Sequence, residues 1–393
     1  MANIGIYGGT FNPPHIGHIR AACAAVSALQ LQKLLLIPDR IAPHKVMPEG
    51  TPLPQQRLEM VRLYAGGDPC LEVSDLELQM EGPSYTYRTV ELLRAQYPDD
   101  TLYLLIGTDM FLSFLQWKNV EYLLDNVVLG VFYRGQKDEI AAIANHKEEM
   151  ERRGAKVVLI QNAIVDISST QLRRLLIFNC AGEYLSKSVY EYIRSHGLYG
   201  TAENYRELTI ERLEEVVKQL LDPKRVNHVL GCRDTAIQLA KQWGEDETDA
   251  ARAALLHDVT KALDGRLQLT LCREYGIVLD AFSTKNPKIL HAYTGSLVAE
   301  RIFGENEAVV SAIRWHTTGK ADMTTLQKII YLADYIEPNR DFPGVDALRQ
   351  AAFENLDKAM KMGLEMTLSH LKNQGSEVSP ESQEALAYFN QSL

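Results

Sequence analysis

Cysteine is scarce in this chain of 393 residues: Cys23, Cys70, Cys180, Cys232 and Cys272 are scattered singly, with no C-x-x-C pair. An odd number without pairing argues for reduced thiols in a cytoplasm and against a disulfide framework. Most of them read as small core residues. Long apolar runs are missing too, since none approaches the roughly 18 residues a membrane span needs. No basic n-region or cleavage site precedes the first apolar segment, so no signal peptide is expected. Positive charge is not in excess, the formal balance being −10. That argues against nucleic acid as a partner, which calls for a basic stripe, but leaves small anionic ligands open. Internal repeats and low-complexity tracts are absent. The remainder is ordinary for a globular protein, 46% apolar and 23% charged, and the length favours two domains.

The most informative stretch is Gly8-Gly9-Thr10-Phe11-Asn12-Pro13-Pro14-His15-Ile16-Gly17-His18. Before it, Ile4 to Tyr7 reads as a buried strand; after it, Ile19 to Leu31 reads as a helix. A glycine turn between a strand and a helix N-terminus lets backbone N–H groups and the helix dipole hold phosphate. His15 and His18 can point to one side there and donate hydrogen bonds to the charge that grows on an attacked phosphorus. Strand-like and helix-like segments alternate to about residue 200, with further strands at 33–37, 101–106, 126–132 and 156–160. That alternation predicts a parallel sheet covered by helices, with ligands beyond the strands' carboxyl ends.

Other candidate residues fall at those ends. Lys45, in Pro43-His44-Lys45, is a point charge able to reach a β- or γ-phosphate. Thr86, in Ser84-Tyr85-Thr86, precedes a helical pattern and reads as a cap or a substrate contact. Asp109 can accept from ribose hydroxyls, and Trp117 offers an indole either to a pyridine ring or to the core. In Ile167-Ser168-Ser169-Thr170-Gln171-Leu172-Arg173, Ser169 or Thr170 can cap a helix and face phosphate, while Arg173 adds a forked cation. Arg174 is expected to face solvent.

The signature's His15-Ile16-Gly17-His18 core resembles the H-x-G-H motif of the nucleotidylyltransferase superfamily, and its longer form resembles nicotinate-nucleotide adenylyltransferases. The resemblance implies a Rossmann-like parallel-sheet domain that uses ATP with Mg²⁺ and nicotinate mononucleotide. Gly8, Gly9, Thr10, Phe11, Thr86, Asp109, Trp117, Ser169 and Thr170 would then bind substrate, and His15, His18, Lys45 and Arg173 would be catalytic. An adenylyltransferase for another acceptor is the alternative.

This resemblance ends near residue 200. Gly197 and Gly200 stop a helix, and the polar stretch after them predicts a linker. The expected domains are 1–198, α/β, and 207–393, all-α, joined by 199–206. Apolar spacing of three and four dominates after 206, including one helix over 347–372. His228, His257, Asp258, His291, His316 and Asp334 lie on or near these helices, so they could converge in a bundle core. Imidazole and carboxylate suit iron, manganese or zinc. His370, among Ser369, Leu371 and Lys372, reads as a structural or surface residue.

The order His…His-Asp…His…His…Asp resembles the HD phosphohydrolase superfamily. The stretch Ala333-Asp334-Tyr335-Ile336-Glu337-Pro338-Asn339-Arg340 resembles its members that split diadenosine tetraphosphate symmetrically. That likeness implies two divalent transition metals, iron or else Mn or Zn. His228, His257, Asp258 and Asp334 would bind one; His291 and His316 would complete the second, with Asp258 bridging. It also implies phosphate contacts from Lys261 and Arg340. A nucleotidase, an alarmone hydrolase or a nucleotide-sensing regulatory module are the alternatives, and a homo-oligomer is compatible with the sequence.

Overall fold

The computed structural model describes residues 1–43, 46–133, 135, 137–161 and 167–391. They form two compact units, Met1–Glu203 and Asn204–Leu393.

The first unit is built on strands β1 (Asn3–Gly9), β2 (Lys33–Pro38), β3 (Leu71–Val73), β4 (Thr101–Gly107), β5 (Val128–Tyr133) and β6 (Lys156–Gln161). They pair in the order β3-β2-β1-β4-β5-β6, every pair parallel. Helices cover both faces, which is why the central strands read as continuous apolar runs rather than alternating ones. Leu34, Leu35, Leu36 and Ile37 are all buried. One layer packs them with Val90, Phe111 and Phe114, the other with Ala21, Ala22 and Val61. β3, three residues long, is too short to announce itself by periodicity.

Strand order reverses at β1, whose neighbours are β2 on one side and β4 on the other. The crevice beyond the carboxyl ends of β1 and β4 is therefore the expected ligand position in such a sheet. Four helices bring residues to it: α1 (Ile16–Ala28), α2 (Pro54–Ala65), α3 (Thr86–Gln96) and α4 (Thr108–Leu112). A fifth, α5 (Ser169–Ile177), follows β6.

Among its described residues the second unit contains helices and no strand. The site-bearing helices are α6 (Val226–Trp243), α7 (Glu247–Leu256), α8 (Leu290–Val298), α9 (Glu307–Trp315) and α10 (Thr325–Ile336). α11 (Val345–Glu354) and α12 (Leu356–Asn373) replace the single helix expected over 347–372. Asn355 separates them: its backbone is extended, and its side chain caps α12 by accepting from Lys358 N–H. Leu239, Leu255, Leu256, Ile313, Ile329, Leu332 and Leu364 are fully buried, each contributing about 1.5–3 kcal/mol.

Residues 199–206, expected as a linker, are shared between the units. Tyr199 is buried within the first, and Tyr205 is buried against Phe303 in the second. Among the described residues no helix is long and apolar enough to cross a membrane.

Candidate functional sites

In the first unit the glycine turn leaves β1 and enters α1 through His15, which is the helix N-cap. The His15 Nδ1 accepts from Gly17 N–H at 3.2 Å, and the His18 Nδ1 accepts from His15 N–H at 3.1 Å. The two rings lie 3.8 Å apart at 42°. Because each Nδ1 is an acceptor, each neutral ring carries its proton on Nε2. Burial keeps both neutral: it lowers His15 to about 4 and, with His15 beside it, pushes His18 well below its ordinary value. The pair thus presents two N–H donors, and the first turn of α1 holds no acidic residue to cancel its dipole.

Two signature residues serve the scaffold. The Phe11 ring is buried at 3% exposure against Tyr7 and His18, leaving only its main chain for a ligand. Phe11 holds φ at +46°, a left-handed value that its packing must enforce. The Thr10 hydroxyl donates to Asp39 at 2.9 Å, so it is turned away from the turn's open side. Gly8 and Gly9 are exposed and half-buried respectively. Sequence reasoning missed Arg57, which is 2% exposed. Its Nη1 donates to Thr10 O at 2.6 Å and to Asp39 at 3.0 Å, and its Nη2 to Asp39 O at 2.7 Å, tying α2 to the signature turn.

Arg173 on α5 reaches the same turn, donating from Nη1 to Asn12 O at 2.8 Å and from Nη2 to Thr170 Oγ1 at 3.0 Å. The cap of α5 is Ser168, not Ser169 or Thr170: its Oγ accepts from Gln171 N–H, and the Gln171 side chain accepts from Ser168 N–H. Ser169 and Thr170 occupy the first helical turn. Arg174 is half-buried rather than solvent-facing. Thr86 opens α3, whose N-cap is Tyr85 without a side-chain cap bond, while Ser84 Oγ accepts from Arg40 N–H. Asp109 is exposed in the first turn of α4 beyond the end of β4. Trp117 is half-buried, packed on the core with its ring 4.9 Å from Phe114. Lys45 lies outside the described residues.

In the second unit the six candidate ligands come together. His228 Nε2 is 3.1 Å from Asp334 Oδ1 and 3.8 Å from Asp258 Oδ2, and His257 Nε2 is 3.5 Å from that same Asp258 oxygen. The other Asp258 oxygen, Oδ1, is 3.3 Å from His291 Nε2 and 3.9 Å from His316 Nε2. One carboxylate thus faces two imidazole pairs with its two oxygens.

Every one of these histidines directs Nε2 inward because Nδ1 is tied outward. His257, His291 and His316 donate from Nδ1 to the carbonyls of Ala254, Lys288 and Ile313 at 2.6, 2.8 and 2.7 Å. His228 donates to Glu337 Oε1 at 3.1 Å. Glu337, missed in the sequence, is 1% exposed and lies one helical turn after Asp334. Burial lowers His316 to about 4, and burial with Lys261 nearby lowers His291 strongly. Burial also works against charge on His257, but Asp258 and Asp334 outweigh it and raise that imidazole. Burial likewise opposes the Asp258 charge, yet His257, Lys261 and His291 hold this carboxyl well below the usual range.

This donor set fits a divalent metal. His257 Nε2 is buried with no hydrogen-bond partner, and inward imidazole lone pairs with ionised carboxylates are what such a cation binds. His228, Cys232, His257 and Asp334 offer atoms within 4.8 Å of one another, as do His257, Asp258 and His316. Cys232, expected as an ordinary core residue, is therefore also a neighbour of the cluster, its Sγ 3.6 Å from His228 Nε2.

Cations ring the cluster: Arg225, unforeseen, is 2.5 Å from Asp258 Oδ2; Arg340 is 2.7 Å from Asp334 Oδ1; Lys261 is 2.8 Å from His291 Nε2. A cavity of about 760 Å³ opens over Lys261, His291, His316, Asp334 and Arg340. His370, exposed on α12, is also among the residues that line this cavity.

Comparison with known proteins agrees with this division. Residues 6–175 match the cytidylyltransferase-like family and residues 225–339 the HD domain family. The chain is 39% identical over 210 residues to a probable nicotinate-nucleotide adenylyltransferase of Aeromonas salmonicida, covering 50% of this chain and 97% of that one. It is 41% identical over 180 residues to a symmetrical bis(5'-nucleosyl)-tetraphosphatase of Halalkalibacterium halodurans, covering 46% and 94%. A Mycoplasma pneumoniae protein named a probable nicotinate-nucleotide adenylyltransferase/Ap4A hydrolase is 29% identical across 94% of this chain and 98% of its own. The chain therefore belongs to the nicotinate-nucleotide adenylyltransferase family over its first half and to the HD-domain symmetrical bis(5'-nucleosyl)-tetraphosphatase family over its second.

Proposed function

We propose a bifunctional enzyme that adenylylates nicotinate mononucleotide in its first unit and splits diadenosine tetraphosphate into two ADP in its second. The observation that supports it most is the opposite fixing of histidine tautomers in the two sites.

In the first reaction a phosphate oxygen of the mononucleotide attacks the α-phosphorus of ATP, and the bond to the β-phosphate breaks, giving deamido-NAD and pyrophosphate. No protein nucleophile is needed. The Nε2–H groups of His15 and His18 donate to the phosphate oxygens where negative charge accumulates, and the amides of the glycine turn and of α1 line the same crevice. Arg173, anchored on the Asn12 carbonyl, adds fixed positive charge, and Lys45 adds a second cation. Ser169 and Thr170 face the phosphates from the first turn of α5, and Thr86, Asp109 and Trp117 hold the mononucleotide. Mg²⁺ bound with ATP would supply charge neutralisation at its phosphates. The contribution is positioning and electrostatics rather than covalent chemistry.

In the second reaction water attacks a central phosphorus, and the anhydride bond between the two middle phosphates breaks. His228, His257, Asp258 and Asp334 would hold one metal, His291 and His316 a second, with Asp258 shared. Bound there, two divalent cations, iron or else manganese or zinc, would polarise phosphoryl oxygens and acidify the water nucleophile. Lys261 and Arg340 stand beside the carboxylates and can pair with the tetraphosphate chain.

The test is product analysis on the full chain. ATP with nicotinate mononucleotide should give deamido-NAD and pyrophosphate. Diadenosine tetraphosphate should give ADP alone; equal AMP and ATP would refute the symmetrical assignment.

A further inference from the structure

The cavity over the metal-ligand cluster changes character along its length. Its inner end carries Lys261, Asp334 and Arg340; its outer wall is Tyr335, Phe342 and Met366. The matched HD segment stops at residue 339, and Phe342 and Met366 lie beyond it. We propose that this wall is a purine-nucleoside subsite that seats one base of the substrate while its phosphates run to the cluster. The proposal rests on the tetraphosphatase reading and adds how that site would recognise its substrate.

The wall is built in advance. Tyr331 and Tyr335 stack at 8° between ring planes, and both phenols meet the Thr367 hydroxyl of α12, at 3.4 and 3.1 Å. Phe342 stands edge-to-face to Tyr335, 5.3 Å between centroids. Gly344 adopts φ +91°, and a Cβ there would come within 2.7 Å of Met366 Cε, so the 341–344 loop is closed tightly onto α12. Tyr335, Phe342 and Met366 are nevertheless only half-buried. Rings fixed in place, with apolar surface left open beside a cationic phosphate path, suit a base with a triphosphate-like tail. The volume falls within the general range of small-molecule and cofactor sites, about 300–1,000 Å³. Arg340, two residues before Phe342 and paired with Asp334 at 2.7 Å, stands where base and phosphates would meet. The remaining rim, including His370 and Asn373, is exposed, so the wall reads the π-face of a base rather than its edge.

The test uses the full chain with Phe342→Ala and Phe342→Trp, assayed with diadenosine and diuridine tetraphosphates, alongside metal content and ADP affinity by calorimetry. The proposal expects wild type to favour the purine substrate. Phe342→Ala should raise KM for it on the order of tenfold, the usual scale of a lost base stack, with kcat and metal content held. ADP affinity should fall in parallel, and Phe342→Trp should restore both. An unchanged KM and ADP affinity in Phe342→Ala, or a lost kcat with lost metal, would overturn the subsite. Failure of wild type to hydrolyse either dinucleotide would sink the tetraphosphatase reading instead, and ADP binding by wild type and Phe342→Ala would still decide the subsite.

Discussion

Histidine does opposite work in the two halves of this molecule, and its Nδ1 partner decides which. In the first unit the partners of His15 and His18 are backbone N–H groups, so the exposed edge is an N–H, a donor suited to phosphate. In the second unit the partners are three carbonyls and Glu337, so the inward edge is a lone pair suited to a cation. For four of the six the difference follows from helix position; His228 and His291 lie in the first turns of α6 and α8 and find their acceptors in Glu337 and the Lys288 carbonyl instead. His15 and His18 sit at a helix N-terminus, where amides lack partners. His257 and His316 sit just past helix C-termini, where carbonyls three residues back are available.

The sharpest way to separate the halves is Asp258→Ala. It removes the carboxylate that faces both imidazole pairs, so metal and tetraphosphate hydrolysis should both be lost while adenylyl transfer continues. Metal analysis beside the two assays checks this, and retention of full metal with full hydrolysis would break the comparison. Next in size, His18→Ala should lower adenylyl transfer by ~10²–10³, the usual cost of one preorganised donor, and leave hydrolysis intact. His18→Gln should lose less, because a glutamine amide can accept from His15 N–H and still donate, as Gln171 accepts from Ser168 in α5. Equal losses in the two variants would contradict the donor assignment.

Glu337→Gln probes the outward tie of His228. Weakening that partner should cost about 10–100-fold in metal affinity, read by competition with a chelator, without unfolding the unit. Smallest is a pH effect on the first unit. Its His15 is lowered from 6.5 to about 4 in the folded chain. Between those values only the unfolded chain takes up the proton, so stability falls as pH drops, by roughly 1.4 kcal/mol per unit for each such group. Above about 6.5 these imidazoles contribute no slope. Denaturant midpoints from pH 4 to 8 measure it; a midpoint that rose on acidification would contradict the burial of these rings.

How much of this was legible in the sequence follows the same divide. The first site's donors lie within one continuous signature, so order alone revealed them. What stayed hidden were the groups behind it. Arg57 looks like any helical arginine until its guanidinium is found on the Thr10 and Asp39 carbonyls. Ser168 as the cap was legible but passed over: only from Ser168 does the S-x-x-Q spacing of a capping box reach Gln171. In the second unit the six candidate ligands were visible by their order, although they span several helices. Glu337 was not, since its partner lies 109 residues away; its place one turn after Asp334 was the available signal. The cavity wall was hidden by reading 347–372 as one helix. Asn355 is a modest helix former whose role as a cap depends on the backbone it meets.

The most direct test of the central claim is long-range ¹H–¹⁵N correlation of the histidine side chains in the zinc-loaded protein near neutral pH. His15 and His18 should carry their proton on Nε2, and His228, His257, His291 and His316 should carry it on Nδ1. One shared tautomer across both groups would contradict that claim.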